Sequence, residues 1–146
     1  MIIDVNKLKY SGKLISQFAF CEEAQSDLLV PFDYVIDGGI NVNGTVELHS
    51  SDVYVDCEVN CTIVGRCARC LEKSKYLFSE EFSAKYVLNN AEEDEFLYKR
   101  GLVDLTEAVN DCIITNAPSV IYCKEDCKGL CPKCGCNLNE TDCDCK

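Results

Sequence analysis

Thirteen cysteines in 146 residues constrain this chain more than any other feature, and seven of them crowd between Cys123 and Cys145. An odd number cannot pair completely within one chain. The stretch after Cys123 also has no apolar periodicity, so it offers no helix or strand face to bury against a core. Between Met1 and Phe20 the chain carries Lys7, Lys9 and Lys13 but no apolar run long enough for a signal-peptide core, and nothing later approaches a membrane span. The expected location is the reducing cytoplasm, without membrane contact. There, clustered thiols are metal ligands or buried side chains rather than disulfides.

Before the cysteine-rich end, the apolar pattern has period two. Ile40, Val42, Val46 and Leu48 alternate with polar residues over 40–48, and Val53, Val55, Cys57, Val59, Cys61 and Ile63 do so over 53–64. Tyr76, Phe78, Phe82, Ala84 and Tyr86 mark a third run over 75–87. Such alternation is that of half-buried antiparallel strands. Residues 28–36 read as a further strand closed by the turn signal Asp37-Gly38-Gly39. A helix is expected over about 104–116, with Asp104 and Glu107 at capping-box spacing, Leu105, Ala108, Val109, Cys112 and Ile113 on its inner face, and Pro118 beyond its end. The expected class is α+β: an antiparallel β-meander or partly open barrel with one main helix, over residues 1–122. A zinc-knuckle tail over 123–146 would pack on it.

The same periodicities sort the cysteines. Cys57 and Cys61 fall on the apolar face of a strand and Cys112 on that of the helix, where a free thiol packs as a small hydrophobe. Cys21 is isolated and Cys136 ambiguous. Eight remain: Cys67, Cys70, Cys123, Cys127, Cys131, Cys134, Cys143 and Cys145. A two-residue gap lets a turning backbone aim two sulfurs at one ion, and closed zinc sites take four ligands. Cys131-Pro132-Lys133-Cys134-Gly135 has this form, as does Cys67-Ala68-Arg69-Cys70 between two expected strands.

The two-ion grouping places Cys67, Cys70, Cys123 and Cys127 around one structural zinc and Cys131, Cys134, Cys143 and Cys145 around another. A one-ion rival uses Cys123, Cys127, Cys131 and Cys134. Four thiolates also suit an iron–sulfur cluster. The one histidine, His49, reads as a surface or edge residue, and no phosphate loop, nucleophile elbow or triad is present, so an enzyme is not expected.

A formal charge of −11 argues against a protein that coats nucleic acid. The exception is local: Arg66, Arg69, Lys73 and Lys75 against Glu72 give residues 66–75 a charge of +3, which makes those four the candidates for touching RNA.

Several segments occur in an order that resembles the YceD family of large-subunit ribosomal RNA accumulation proteins, in its Gram-positive form. They are Ile3-Asp4-Val5-Asn6-Lys7-Leu8, Cys67-Ala68-Arg69-Cys70-Leu71-Glu72, Val103-Asp104-Leu105-Thr106-Glu107, Cys123 to Gly135, Asn137-Leu138-Asn139 and Cys143-Asp144-Cys145. The chain departs from that pattern in lacking a second proline between Pro118 and Cys123, and in the additional thiols Cys57, Cys61 and Cys136. The resemblance implies a cytosolic protein needed for accumulation of large-subunit ribosomal RNA. Combined with the acidic charge, it leads to the expectation of a ribosomal protein or large-subunit assembly intermediate as partner. A redox-regulated zinc protein with a chaperone-like thiol switch is the alternative expectation.

Overall fold

The computed structural model describes residues 1–145; Lys146, the last residue of the expected tail, lies outside the described residues. The chain order is β1 (Ile2–Asp4), α1 (Val5–Ser11), β2 (Ile15–Glu23), a 3-10 turn at Val30–Phe32, β3 (Val35–Ile36), β4 (Gly39–His49), β5 (Asp52–Arg66), β6 (Lys73–Val87), β7 (Glu95–Leu97), β8 (Leu102–Asp104) and α2 (Thr106–Asn116). The main sheet runs β2-β4-β5-β6-β7, with β3 also paired to β5, and β1-β8 form a small second sheet. Between the named strands every pairing is antiparallel except β6 with β7, so the main sheet is an open, mixed one and not a closed barrel.

The long strands lie where the alternation put them. Ile40, Val42, Val46, Leu48, Val53, Val55, Val59 and Ile63 are buried on one face, while Asn41, Asn43, Tyr54, Asp56, Ser79, Glu81 and Ser83 are exposed on the other. Onto the apolar face pack Ile3, Val5 and Leu8 from β1 and α1, together with Ala108, Val109, Cys112 and Ile113 from α2, in one contiguous core. Cys57, Cys61 and Cys112 are buried there as free thiols. Burial pushes the Cys57 thiol up to about 12 and Cys61 up to about 11, so neither ionises near neutral pH. Among the described residues no helix is long and apolar enough to cross a membrane.

Two sequence expectations are corrected. The strand expected over 28–36 reduces to the 3-10 turn and the two residues of β3. Pro31 fixes its φ and has no N–H for a ladder, and Asp33 at φ 57° turns the chain out of extended conformation. The helix starts at Thr106, not Asp104, because Asp104 is the last residue of β8 and pairs with Ile2. Its carboxylate still accepts the N–H of Thr106 at 3.0 Å, a local turn bond in place of the expected cap. The elements before residue 24 have no counterpart among the sequence expectations. In β2, only Phe18 and Phe20 pack against the core, and only partly, so its alternation is faint.

One edge of β5 is served by three partners in succession. β4 pairs with it from Asp52 to Asn60, β3 pairs at Ile63 and Val64, and beyond them Cys67 bridges to Ile121, which arrives in parallel from the segment after α2. Gly65 sits at this crossing. A Cβ there would run into the ring of Tyr34, and Ile121 Cδ1 would lie 3.2 Å away. Gly65→Ala is expected to destabilise the protein by about 1–3 kcal/mol, since the buried ring must leave its place. Urea unfolding of the two proteins at equal metal loading checks this, and an unchanged midpoint would show that Tyr34 yields freely.

Candidate metal centres

The sharp turn that ends β5 places the first pair of thiols. Cys67 donates its N–H to the Glu72 carbonyl at 2.8 Å, and the Cys67 carbonyl accepts the Leu71 N–H at 2.9 Å. The Arg69 N–H points at Cys67 Sγ, 3.5 Å away. Closing the loop requires Leu71 to take φ 63°, a conformation that costs a residue with a side chain about 1–2 kcal/mol. The Cys131–Cys134 turn repeats the arrangement: Gly135 N–H to the Cys131 carbonyl at 2.8 Å, and Lys133 N–H to Cys131 Sγ at 3.4 Å. Gly135, at φ 74°, holds the position that Leu71 holds in the first loop.

The tail comes to the first loop through its main chain. Ala68 donates to the Ile121 carbonyl at 2.8 Å, and two residues later Cys123 Sγ lies 3.5 Å from Cys70 Sγ. Cys127 Sγ is 3.8 Å from Cys67 Sγ. All four sulfurs, of Cys67, Cys70, Cys123 and Cys127, lie within 4.8 Å of one another. These separations are far beyond a disulfide bond of about 2.05 Å. Among the described residues every cysteine is a free thiol. Cys67, Cys70 and Cys127, with Leu130 against them, form a second buried cluster apart from the main core.

Two side chains hold this cluster together. The Arg69 guanidinium donates to the carbonyls of Glu125 at 3.0 Å and Cys127 at 3.2 Å and lies over the Tyr122 ring at 4.7 Å. Asn139 accepts the Lys128 N–H at 3.0 Å and donates its amide to Cys127 Sγ at 3.3 Å. Neither contact was foreseen as part of a site. The only sequence sign of Asn139 was its place in the Asn137-Leu138-Asn139 motif.

The second cluster closes within the tail. Cys131 N–H bonds to the Cys136 carbonyl at 2.8 Å and Leu138 N–H to the Gly129 carbonyl at 2.9 Å, which folds 129–131 against 136–138. Cys143 Sγ lies 3.3 Å from Cys131 Sγ and 3.4 Å from Cys134 Sγ. The four mutually close sulfurs are those of Cys131, Cys134, Cys136 and Cys143, so Cys136 stands where spacing alone had put Cys145. The turn at Gly135 brings Cys136 back beside its own pair. Cys145 stays beside the cluster through its backbone, with its N–H pointing at Cys143 Sγ from 3.4 Å.

Each cluster could hold one metal ion, and the backbone already favours thiolate at one sulfur of each. Burial raises the Cys67 thiol, but the N–H groups of Cys70, Arg69 and Cys123 outweigh it and hold it at about 6. The Cys136 N–H, ahead of neighbouring thiols, brings Cys134 down to about 6. The one-ion grouping of Cys123, Cys127, Cys131 and Cys134 is not assembled, since Cys123 and Cys127 belong to one cluster and Cys131 and Cys134 to the other.

The basic stretch 66–75 is largely spoken for. Arg69 grips the tail, and Lys75 pairs with Asp37 at 2.7 Å, where it holds that carboxyl below its usual range. Arg66 and Lys73 are exposed on the rim of a shallow depression with Asp33 and Leu71. His49 is exposed at the end of β4, 2.8 Å from a Glu47 oxygen, and not near either thiol cluster.

A family model described as "Large ribosomal RNA subunit accumulation protein YceD" matches residues 55–146. Among curated proteins, an uncharacterized protein of Mycobacterium leprae is 34% identical over 71% of this chain and 52% of its own length. Uncharacterized proteins of Mycobacterium bovis and Mycobacterium tuberculosis are each 29% identical over 68% of this chain and 53% of theirs. The chain thus spans about half the length of the curated relatives it matches. No solved structure matches it.

An N–H···S bond to a ligand sulfur offsets its charge and fixes its direction. Removing one by Asn139→Ala is expected to weaken metal binding at the Cys67/Cys70/Cys123/Cys127 cluster about 10–100-fold. Competition against a chromophoric chelator measures this, and an unchanged affinity would show that the Asn139 contact does not support the ligand.

Proposed function

Since the chain belongs to the YceD family of large ribosomal RNA subunit accumulation proteins, we propose that it is a non-catalytic cytoplasmic factor, stabilised by zinc, that supports large-subunit assembly by docking a basic ribosomal protein or an assembly intermediate. The observation that carries the zinc reading is the pair of four-sulfur clusters, one of them shared between sheet and tail. Zn–S bonds of about 2.3 Å require tetrahedral sulfurs about 3.8 Å apart. The sulfur pairs at 3.3–3.8 Å are close to that spacing. Four thiolates leave no open position for a substrate or water, which is the pattern of structural and not catalytic zinc.

Zinc would also supply what the tail's composition does not. Apart from cysteines, Ile121 is the buried apolar side chain of the segment after α2 among the described residues, too little to organise 123–145 by hydrophobic burial. In such segments the free energy of metal binding is folding free energy. On this reading residues 1–122 form the β-domain, and 123–145 are a zinc-ordered tail fastened to it through Cys67 and Cys70.

Charge supports a protein partner over bare RNA. Two Zn(Cys)₄ sites would each add negative charge to a chain already at −11, and Arg69 and Lys75 are engaged within the molecule. The outer face of the sheet carries Asp56, Glu58 and Glu81, with Glu58 directly opposite Glu81 across β5 and β6. Like charges so placed repel and disfavour the pairing. Lysines and arginines of a partner would neutralise them, and the face would steer such a partner by its field. Arg66 and Lys73 are left for local contact with ribosomal RNA.

A second reading, a thiol switch that ejects zinc on oxidation, draws on the exposure of Cys134 and Cys145. Zinc release by mild peroxide together with gained client binding would favour it.

Protein purified from a reducing cytoplasm is expected to carry two zinc ions per chain; one ion would reject the two-centre scheme, and none would reject zinc altogether. In affinity capture under reducing conditions, ribosomal proteins are expected to remain after RNase treatment. Their loss would move the docking to RNA.

A further inference from the structure

The tail cluster holds more sulfur than one tetrahedral ion can use. Cys131, Cys134 and Cys143 form the mutually close four with Cys136, and a fifth thiol stands beside them: Cys145, two residues beyond Cys143, points its own N–H at Cys143 Sγ from 3.4 Å. The Cys67/Cys70/Cys123/Cys127 cluster has no such surplus: its four thiols are the complete set, and three of them are buried.

The two competing thiols arrive by different routes. Cys136 is fixed by the turn at Gly135 and by its carbonyl bond to Cys131, so its place is set by the same loop that positions Cys134. Cys145 comes from a segment with no regular secondary structure after Thr141, is exposed, and is tied in through the Cys143 sulfur. One candidate is therefore held by the knuckle and the other by the last stretch of chain.

We propose that the tail centre has two interchangeable fourth ligands, Cys136 and Cys145, so that its metal exchanges by ligand replacement while the centre shared with the sheet does not. This rests on the zinc reading above. In the exchange the incoming thiol gives up its proton as its sulfur bonds the metal, and the departing thiolate takes a proton up. Four thiolates remain on the ion, and neither sulfur nor metal changes oxidation state. A fifth thiol beside a filled centre gives an incoming chelator or acceptor thiol a stepwise path, because the ion never has to fall below four sulfurs at once. The centre built on Cys67 and Cys70, with three buried ligands, offers no comparable path.

The test uses the full chain in its zinc-loaded form, with Cys136→Ser, Cys145→Ser, the double variant and Cys131→Ser. Zinc content and affinity are read against a chromophoric chelator, and the wild-type release curve should show a fast and a slow ion. Each single variant is expected to keep two ions with affinity within about tenfold of wild type, and the double variant to lose about a hundredfold at the fast centre only. Each single variant should also release its fast ion more slowly than wild type. The slow ion reports that the β-domain and its centre remain folded. If Cys136→Ser alone is silent in both affinity and rate while Cys145→Ser matches the double variant, Cys145 is the sole fourth ligand and the proposal is wrong. The mirror result makes Cys136 the sole ligand and is equally fatal. A wild type with one ion that Cys131→Ser leaves undisturbed would instead overturn the zinc reading of the tail itself, a different failure with a different signature.

Discussion

The pairing of Ile121 with Cys67 at the open edge of β5 is the contact on which the C-terminal part of the molecule depends. It satisfies backbone groups left over where β3 stops, it buries Ile121 against Tyr34 and Gly65, and it fixes how the chain passes the β5–β6 turn. Cys123 reaches Cys70 and Cys127 reaches Cys67 because the main chain is already anchored one step earlier. A metal ion at that point would cross-link a pre-aligned junction. The entropy of ordering the tail is then met partly by strand pairing and partly by ligation.

The loop that receives the tail carries a local cost. Leu71 accepts φ 63° where the equivalent turn at Cys131 uses Gly135. In return the N–H groups of the first loop face sulfur, and Cys67 becomes a thiolate near neutral pH although it is fully buried. Cys57 and Cys61, a few residues upstream on the same strand, receive no such donors and stay protonated. All three are shielded from solvent, but Cys57 and Cys61 lie in the main core and Cys67 in the smaller separate cluster, so shallower packing and the hydrogen bonds of the turn together distinguish a prepared ligand from a packed thiol.

Charge is distributed in the same economical way. In a chain at −11, Arg69 and Lys75 of the basic stretch 66–75 are occupied in holding the tail and the β3–β4 turn. The acidic side chains Asp56, Glu58 and Glu81 lie together on the outer sheet face, where Asn43 and Ser79 donate to the Glu58 carboxylate. That face is mostly polar, with Tyr54 and Leu77 as its exposed apolar side chains, as suits the uncovered side of an antiparallel sheet. Its partner, if basic, would meet side chains rather than strand edges.

Much of this was legible in the sequence. Period-two alternation located β4, β5 and β6 to within a few residues, and helical spacing chose the buried face of α2, because each of these elements has one wet and one dry side. The same logic removed Cys57, Cys61 and Cys112 from the ligand count. Elements without a two-faced environment left weaker marks: β2 is only partly buried, and Pro31 and Asp33 break the segment that had looked like a strand. What the sequence could not decide was which distant thiols meet and which side chains support them. Spacing reports what a turn can bring together within a few residues, as at Cys67–Cys70 and Cys131–Cys134. The approach of Cys123 to Cys70, the reach of Asn139 to Cys127, and the choice between Cys136 and Cys145 depend on where the backbone travels between them. That path is set by the edge of β5 and by the fold of the tail on itself, which exist only in the tertiary structure.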